Sequence, residues 1–150
     1  MIISPTRGFV FVHVAKTAGT SITRAYARHA LWDDVIVGAP YGNTQNGFQS
    51  GFAEVYSGNT GLLLFRMDGS QGGVGSSSSF PGCLFGWAVS GLGDVNLDGH
   101  DDFAVGAPLG NLAQVPGNHT GYVQVYSGAL AFGGVIAPLY TIAGPTVNSR

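Results

Sequence analysis

The sequence predicts a mainly β fold made of repeated units of about four antiparallel strands, and three observations support this. Glycine accounts for 25 of the 150 residues, and 45% of the chain is hydrophobic while only 9% is charged. Glycine without a three-residue period, mixed with Val, Ile, Phe and Tyr, is typical of short strands joined by tight turns. Two blocks of sequence also recur in the same order, which indicates an internal repeat.

The repeat is defined by two pairs of matching blocks. Residues 33–43 match residues 101–111, and both blocks contain Asp-Asp, then Val-Gly-Ala-Pro, then Gly-Asn. Residues 51–58 match residues 121–128, and both blocks end in Val-Tyr-Ser-Gly. The paired blocks lie 68 and 70 positions apart, so the second copy has a loop two residues longer.

Each copy predicts the same series of strands. An apolar strand (35–37 or 103–105) leads into Gly-Ala-Pro, where glycine permits a bend and proline ends the ladder. An alternating strand (52–56 or 122–126) then reaches a Ser-Gly turn. Four strands per unit is the composition of a β-propeller blade, so a partial propeller of about two blades is expected. The remaining strands are predicted at 62–67, 85–89 and 135–142.

A candidate calcium loop precedes the apolar strand of the second copy. Residues 94–102 read Asp-Val-Asn-Leu-Asp-Gly-His-Asp-Asp. Calcium takes six to eight oxygen ligands, and alternate residues of such a loop can turn their oxygens toward an ion. Close carboxylates repel one another, so the empty loop is expected to be strained or mobile. Asp101 lies between candidate ligands and is expected to face solvent. The candidate ligands are Asp94, Asn96, Asp98, the backbone carbonyl of His100, and Asp102.

Other interpretations of this loop differ in what should follow it. An EF-hand needs an acidic twelfth residue and a helix, whereas here Val105 and a Gly-Ala-Pro strand follow, which also argues against a dockerin-type module. An Asp/Asn-rich β-turn with solvated carboxylates remains an alternative. Magnesium tolerates the same ligand types but demands tighter octahedral geometry, so calcium is preferred.

Phe85-Gly86, the cation loop and the following Val-Gly-Ala-Pro together resemble one FG-GAP repeat of the integrin α-subunit propeller. The resemblance implies that the loop residues named above hold calcium on one face of a propeller. It implies a non-catalytic adhesion protein, secreted or at the cell surface, that binds a protein or glycan. Propellers of this family usually have seven blades, so two blades imply either a piece of a longer chain or self-association through exposed blade faces.

Residues 1–32 fall outside the repeat and form a separate segment, truncated or fused, ahead of the two repeats at 33–150. A strand at 8–14, a small-residue loop and a helix at 22–31 are expected, an arrangement that binds anions at the helix N-terminus. The loop resembles the phosphosulfate-binding loop of carbohydrate sulfotransferases. This implies an alternative function, binding of adenosine phosphosulfate. The residues implied are Lys16, Thr17, Gly19, Thr20 and Ser21.

Several functions are excluded by composition and pattern. Residues 32–150 contain only two basic residues, so nucleic-acid binding is not expected. The single Cys83 rules out an internal disulfide. No apolar run is long enough for a membrane span, and the start does not resemble a secretory signal. No residue pattern predicts a catalytic site.

Overall fold

The structure, a computed structural model, describes residues 10–13, 34–70, 82–111, 120–129 and 136–145. All regular structure in these ranges is β, which confirms the predicted fold class. The predicted helix at 22–31 and the loop before it lie outside the described residues. The strands are β1 (Val10–His13), β2 (Val35–Ala39), β3 (Phe52–Tyr56), β4 (Leu63–Asp68), β5 (Ala88–Gly93), β6 (Asp102–Ala107), β7 (Tyr122–Tyr126) and β8 (Tyr140–Ala143).

The strands form two sheets of four, here called the first blade (β1–β4) and the second blade (β5–β8). Strands β2, β3 and β4 pair antiparallel in sequence order, as do β6, β7 and β8. The blades differ at the first strand of each sheet, here called the leading strand. Strand β5 pairs antiparallel with β6, whereas β1 pairs parallel with β2. The leading position of the first blade is thus held by a strand from the N-terminal segment.

The repeated glycine turns have the same geometry in both blades. The N–H of Gly51 donates to the carbonyl of Gly42 at 2.9 Å, and Gly121 donates to Gly110 at 3.0 Å. Gly51 and Gly121 have φ of 74° and 69°, a region that favours glycine. The sequence repeat therefore corresponds to a repeat of backbone structure.

Three predicted details were wrong. Gly38 does not bend the chain, because it lies inside β2 and pairs with Ala53. A Cβ at Gly38 would clash with the carbonyl oxygen of Gly86, so close backbone approach is what requires glycine there. The strand predicted from residue 85 begins only at Ala88, since positive φ at Leu84 (55°) and Gly86 (87°) interrupts an extended chain. Among the described residues of the strand predicted at 135–142, only those from Tyr140 onward form a strand, which is β8.

The hydrophobic core lies between the two blades. The rings of Phe65 and Phe103 stack with centroids 6.4 Å apart, and Phe85 is fully buried. Phe85 N–H donates to the carbonyl of Ser50 in the first blade at 3.0 Å, and Gly86 N–H donates to that of Gly106 in the second at 3.1 Å. The Phe-Gly pair therefore connects the blades. The buried cluster comprises Ile36, Ala53, Val55, Met67, Cys83, Phe85, Phe103, Val105, Ala107, Tyr122 and Tyr126.

Candidate metal centre

The predicted cation loop joins β5 to β6 and is folded by hydrogen bonds from its own backbone. The carboxylate of Asp94 accepts the N–H of Asp98 at 3.0 Å and that of Gly99 at 2.9 Å. The carboxylate of Asp98 accepts the N–H of His100 at 2.9 Å. Short polar side chains that accept local N–H groups in this way define a turn. The loop is therefore organised around its carboxylates.

Asp98 is the most connected residue of the loop. Its Oδ2 accepts hydrogen bonds from Ser127 Oγ and from Asn96 Nδ2, each at 2.7 Å. These two bonds, with that of Ser127 the stronger influence, lower the pKa of the Asp98 carboxyl because they favour its charged form. The exposed Asp98 side chain is therefore an anion at neutral pH, as a cation ligand must be.

Asp102 is fully buried at the start of β6 and is held differently. Its Oδ2 accepts the N–H of Val95 at 2.9 Å and that of Asn96 at 3.3 Å. Its Oδ1 accepts the N–H of Gly128 at 3.2 Å. Asp102 therefore joins the cation loop to the Ser-Gly turn after β7.

The first blade retains this connection although it has no cation loop. Asp34 Oδ1 accepts the N–H of Gly58 at 3.2 Å, the same bond at the same repeat position. The sequence contained the signal for this role, because the aspartate and the Ser-Gly turn recur together in both copies. Asp102 consequently has a structural role that does not depend on a metal.

Strain in the loop is localised at one residue. Leu97 has φ of 61°, and its side chain is 88% exposed. A left-handed backbone costs a non-glycine residue roughly 1–2 kcal/mol. Gly93 and Gly99, with φ of 71° and 90°, adopt this region without that cost. This strain comes from backbone conformation and is distinct from the carboxylate repulsion expected of the empty loop, which stays a prediction.

The donors fit a divalent cation by their chemistry but do not surround one. In the described ranges, no three His, Cys, Asp or Glu side chains converge as a metal-binding group. Asp94, Asn96 and Asp98 lie together on one loop, whereas the oxygens of Asp102 are turned toward backbone N–H groups. The carboxylate oxygens that accept a single hydrogen bond, namely both oxygens of Asp94 and the Oδ1 atoms of Asp98 and Asp102, have a second lone pair that can bind an ion. Asp101, expected to face solvent, is half-buried.

The candidate anion loop of the N-terminal segment cannot be placed. Its residues, Lys16, Thr17, Gly19, Thr20 and Ser21, lie outside the described part of the chain, as does the predicted boundary at residues 32 and 33. None of the described residues forms a helix long and apolar enough to cross a membrane.

Comparison with known proteins identifies the repeat. Residues 85–126 match the family model of the FG-GAP repeat. Human integrin alpha-6 is 32% identical over 124 residues, which covers 75% of this chain and 10% of the integrin. Human integrin alpha-7 is 32% identical over 136 residues, covering 88% of the chain and 10% of the integrin. Bovine integrin alpha-2 is 40% identical over 86 residues, covering 56% of the chain and 7% of the integrin.

The matched repeat contains the whole cation loop as well as Phe85-Gly86 and the Gly-Ala-Pro strand. The chain spans about a tenth of the length of the integrin alpha-6 and alpha-7 relatives. Residues 85–126 are therefore an FG-GAP repeat, and the chain is similar to integrin α subunits along most of its length, as its motifs predicted.

Proposed function

We propose that residues 33–150 are a calcium-binding, non-catalytic segment of an FG-GAP propeller that acts in adhesion outside the cell, secreted or at the cell surface. The observation that carries the proposal is the position of the cation loop, which lies inside the matched FG-GAP repeat. Similarity to integrin α subunits supports the adhesive role. The proposed partner is a protein or glycan ligand.

Calcium is favoured over other divalent ions by the donor set. Three carboxylates, an amide and a backbone carbonyl are hard oxygen donors, which suit calcium and magnesium rather than zinc. Calcium accepts irregular sets of six to eight oxygens, whereas magnesium requires a near-ideal octahedron. A nine-residue loop already closed by its own hydrogen bonds can adjust more easily to the irregular oxygen set that calcium accepts than to the octahedron that magnesium requires.

Asp102 is proposed as the ligand that links the ion to the blade. Its buried carboxylate already joins the loop to Gly128, so an ion bound by Asp94, Asn96, Asp98 and the His100 carbonyl would also be tied to the turn after β7. Calcium binding would then stabilise one end of the second blade. The sulfotransferase alternative is not proposed, because neither the family match nor the integrin relatives support it.

Calorimetric titration with calcium tests the proposal. The wild-type chain is expected to bind calcium, and Asp98→Ala is expected to abolish binding because it removes the most connected carboxylate of the loop. Asp68→Ala is the matched control, since Asp68 is an acidic residue on β4 that pairs with Arg66 outside the loop. Equal calcium binding by wild type and Asp98→Ala would rule out the site.

A further inference from the structure

The Ser-Gly turn after β7 contacts the cation loop through two adjacent residues. The Ser127 hydroxyl donates to Asp98 Oδ2 at 2.7 Å. The N–H of the next residue, Gly128, donates to Asp102 Oδ1 at 3.2 Å. Both aspartates are candidate ligands of the cation. A single turn of the second blade therefore holds two of the groups that the ion would need.

The first blade has the same turn without a cation loop, and it keeps the glycine contact. The N–H of Gly58 donates to Asp34 at 3.2 Å, which repeats the bond from Gly128 to its aspartate. This bond is present whether or not a cation loop precedes the strand. The contact made by the glycine therefore belongs to the fold of a blade.

The serine of the turn has one role in both blades and a further role in the second. Ser57 Oγ accepts the N–H of Thr60 at 3.3 Å. Ser127 Oγ likewise accepts the N–H of Ala129 at 3.0 Å, so each serine oxygen closes its own turn. The hydroxyl proton is separate from this acceptor role, and Ser127 gives it to Asp98. The first copy has alanine at the position aligned with Asp98, so the donation to a loop carboxylate accompanies the cation loop.

The hydrogen bonds to Asp98 determine which of its oxygens is available to an ion. Oδ2 accepts from Ser127 Oγ and from Asn96 Nδ2, each at 2.7 Å, so both of its lone pairs are occupied. Oδ1 accepts the N–H of His100 at 2.9 Å and keeps a second lone pair. Oδ1 is therefore the oxygen of Asp98 that can coordinate a cation.

The bond from Ser127 also connects an exposed carboxylate to a buried group. Asp98 is exposed, whereas Ser127 is 6% exposed and follows directly after β7. A hydrogen bond from a buried hydroxyl fixes the orientation of the carboxylate relative to the blade before an ion binds. Partners that orient a metal ligand in this way typically change metal affinity by about 10- to 100-fold.

We propose that Ser127 is a positioning residue for calcium, whose hydroxyl occupies Oδ2 of Asp98 and leaves Oδ1 as the coordinating oxygen. The inference rests on the proposed calcium site and adds to it a residue that lies 29 positions away from Asp98 in the chain. The two residues of the turn then have different roles. Gly128 holds the buried Asp102 as part of the fold, and Ser127 holds Asp98 for the ion.

Calorimetric titration of the full chain with calcium tests this with serine variants. Ser127→Ala removes the donor to Asp98 and is expected to raise the calcium Kd about tenfold. Ser57→Ala is the matched control, because it removes the equivalent turn bond of the first blade and is expected to leave the Kd unchanged. Ser127→Thr keeps a hydroxyl and is expected to restore most of the lost affinity.

A double-mutant cycle in EDTA tests the contact itself without calcium. Ser127→Ala is expected to lower the urea denaturation midpoint more in the wild-type chain than in the Asp98→Ala chain, because the second background has already lost the acceptor. Equal shifts in the two backgrounds would show that the two side chains do not interact, and the proposal would be wrong.

The titrations distinguish failure of this inference from failure of the calcium site. If wild type binds calcium and Ser127→Ala binds it equally or more tightly, the positioning role alone is overturned. The same holds if Ser57→Ala weakens binding as much, or if a folded Ser127→Thr binds no better than Ser127→Ala. Should Ser127→Thr not fold, the two alanine variants decide. A wild type that binds no calcium would overturn the proposed function and this inference with it.

Discussion

The two blades of this chain share one backbone design and differ in what is added to it. Both have three antiparallel strands, a glycine turn after Gly-Ala-Pro, and an aspartate bonded to the Ser-Gly turn. Only the second has the cation loop, and only the first has a parallel leading strand. The shared features are therefore what a blade needs to fold, and the loop at residues 94–102 is present in addition to them.

The largest difference between the blades is expected at their equivalent glycines. Gly38→Ala should lower the free energy of unfolding by about 3 kcal/mol, because its Cβ would force the first blade away from Gly86. Gly106→Ala should change stability by less than about 1 kcal/mol, since the equivalent space is open. Urea denaturation monitored by circular dichroism measures both. Equal losses would show that the blades are not packed as described.

Two of the loop aspartates, Asp102 and Asp98, should separate the structural role of the loop from cation binding. In EDTA, Asp102→Asn is expected to destabilise the chain by about 2 kcal/mol, because an amide cannot accept hydrogen bonds on both sides from Val95 and Gly128. Asp98→Asn in EDTA should destabilise the chain much less than Asp102→Asn, because the Asp98 side chain is exposed. The comparison uses the denaturation midpoint of each variant. A larger loss in Asp98→Asn would reverse the assigned roles.

A smaller effect is expected from the buried tyrosines of β7 at alkaline pH. Burial raises the pKa of Tyr126 to about 12, above the value near 10 of an unfolded chain. Burial also raises the pKa of Tyr122. The tyrosine hydroxyls therefore lose their protons at higher pH in the folded state than in the unfolded state. The resulting contribution to the free energy of unfolding is complete below pH about 10 and is lost as the pH rises toward about 12.

Denaturation between pH about 9 and about 11 measures this loss. Tyr126→Phe should reduce the pH dependence, whereas Tyr140→Phe, a change on the exposed strand β8, should leave it unaltered. Identical pH dependence in wild type and Tyr126→Phe would show that the Tyr126 hydroxyl, which donates to Gln124 Oε1, is not buried as described.

Periodicity made most of the fold predictable from the sequence. The blocks around Gly-Ala-Pro and Val-Tyr-Ser-Gly located β2, β3, β6 and β7, because a repeated pattern of alternating apolar residues has one compatible arrangement. The start of β5 could not be found in this way. Leu84 adopts a left-handed backbone that its residue type does not predict. Its N–H donates to the carbonyl of Gln49 in the first blade, and the next two residues donate to Ser50 and Gly106 in the two blades.

For the candidate cation site, the sequence predicted which residues belong to the loop but not the hydrogen bonds that hold them. Ligand spacing identified Asp94, Asn96 and Asp98, and the structure places them on one loop. The bond from Ser127 to Asp98 was missed, because the two residues are 29 positions apart and only the pairing of β6 with β7 brings them together. The buried role of Asp102 was missed although its repeat partner Asp34 indicated it.

The number of calcium ions bound per chain tests the comparison of the two blades most directly. Native mass spectrometry of the wild-type chain is expected to show a single bound calcium, and none in the double variant Asp94→Asn/Asp98→Asn. The equivalent positions of the first copy are Tyr26, Arg28 and Ala30, which offer no carboxylate. Two bound ions in the wild type, or one retained by the double variant, would contradict a single cation site in the second blade.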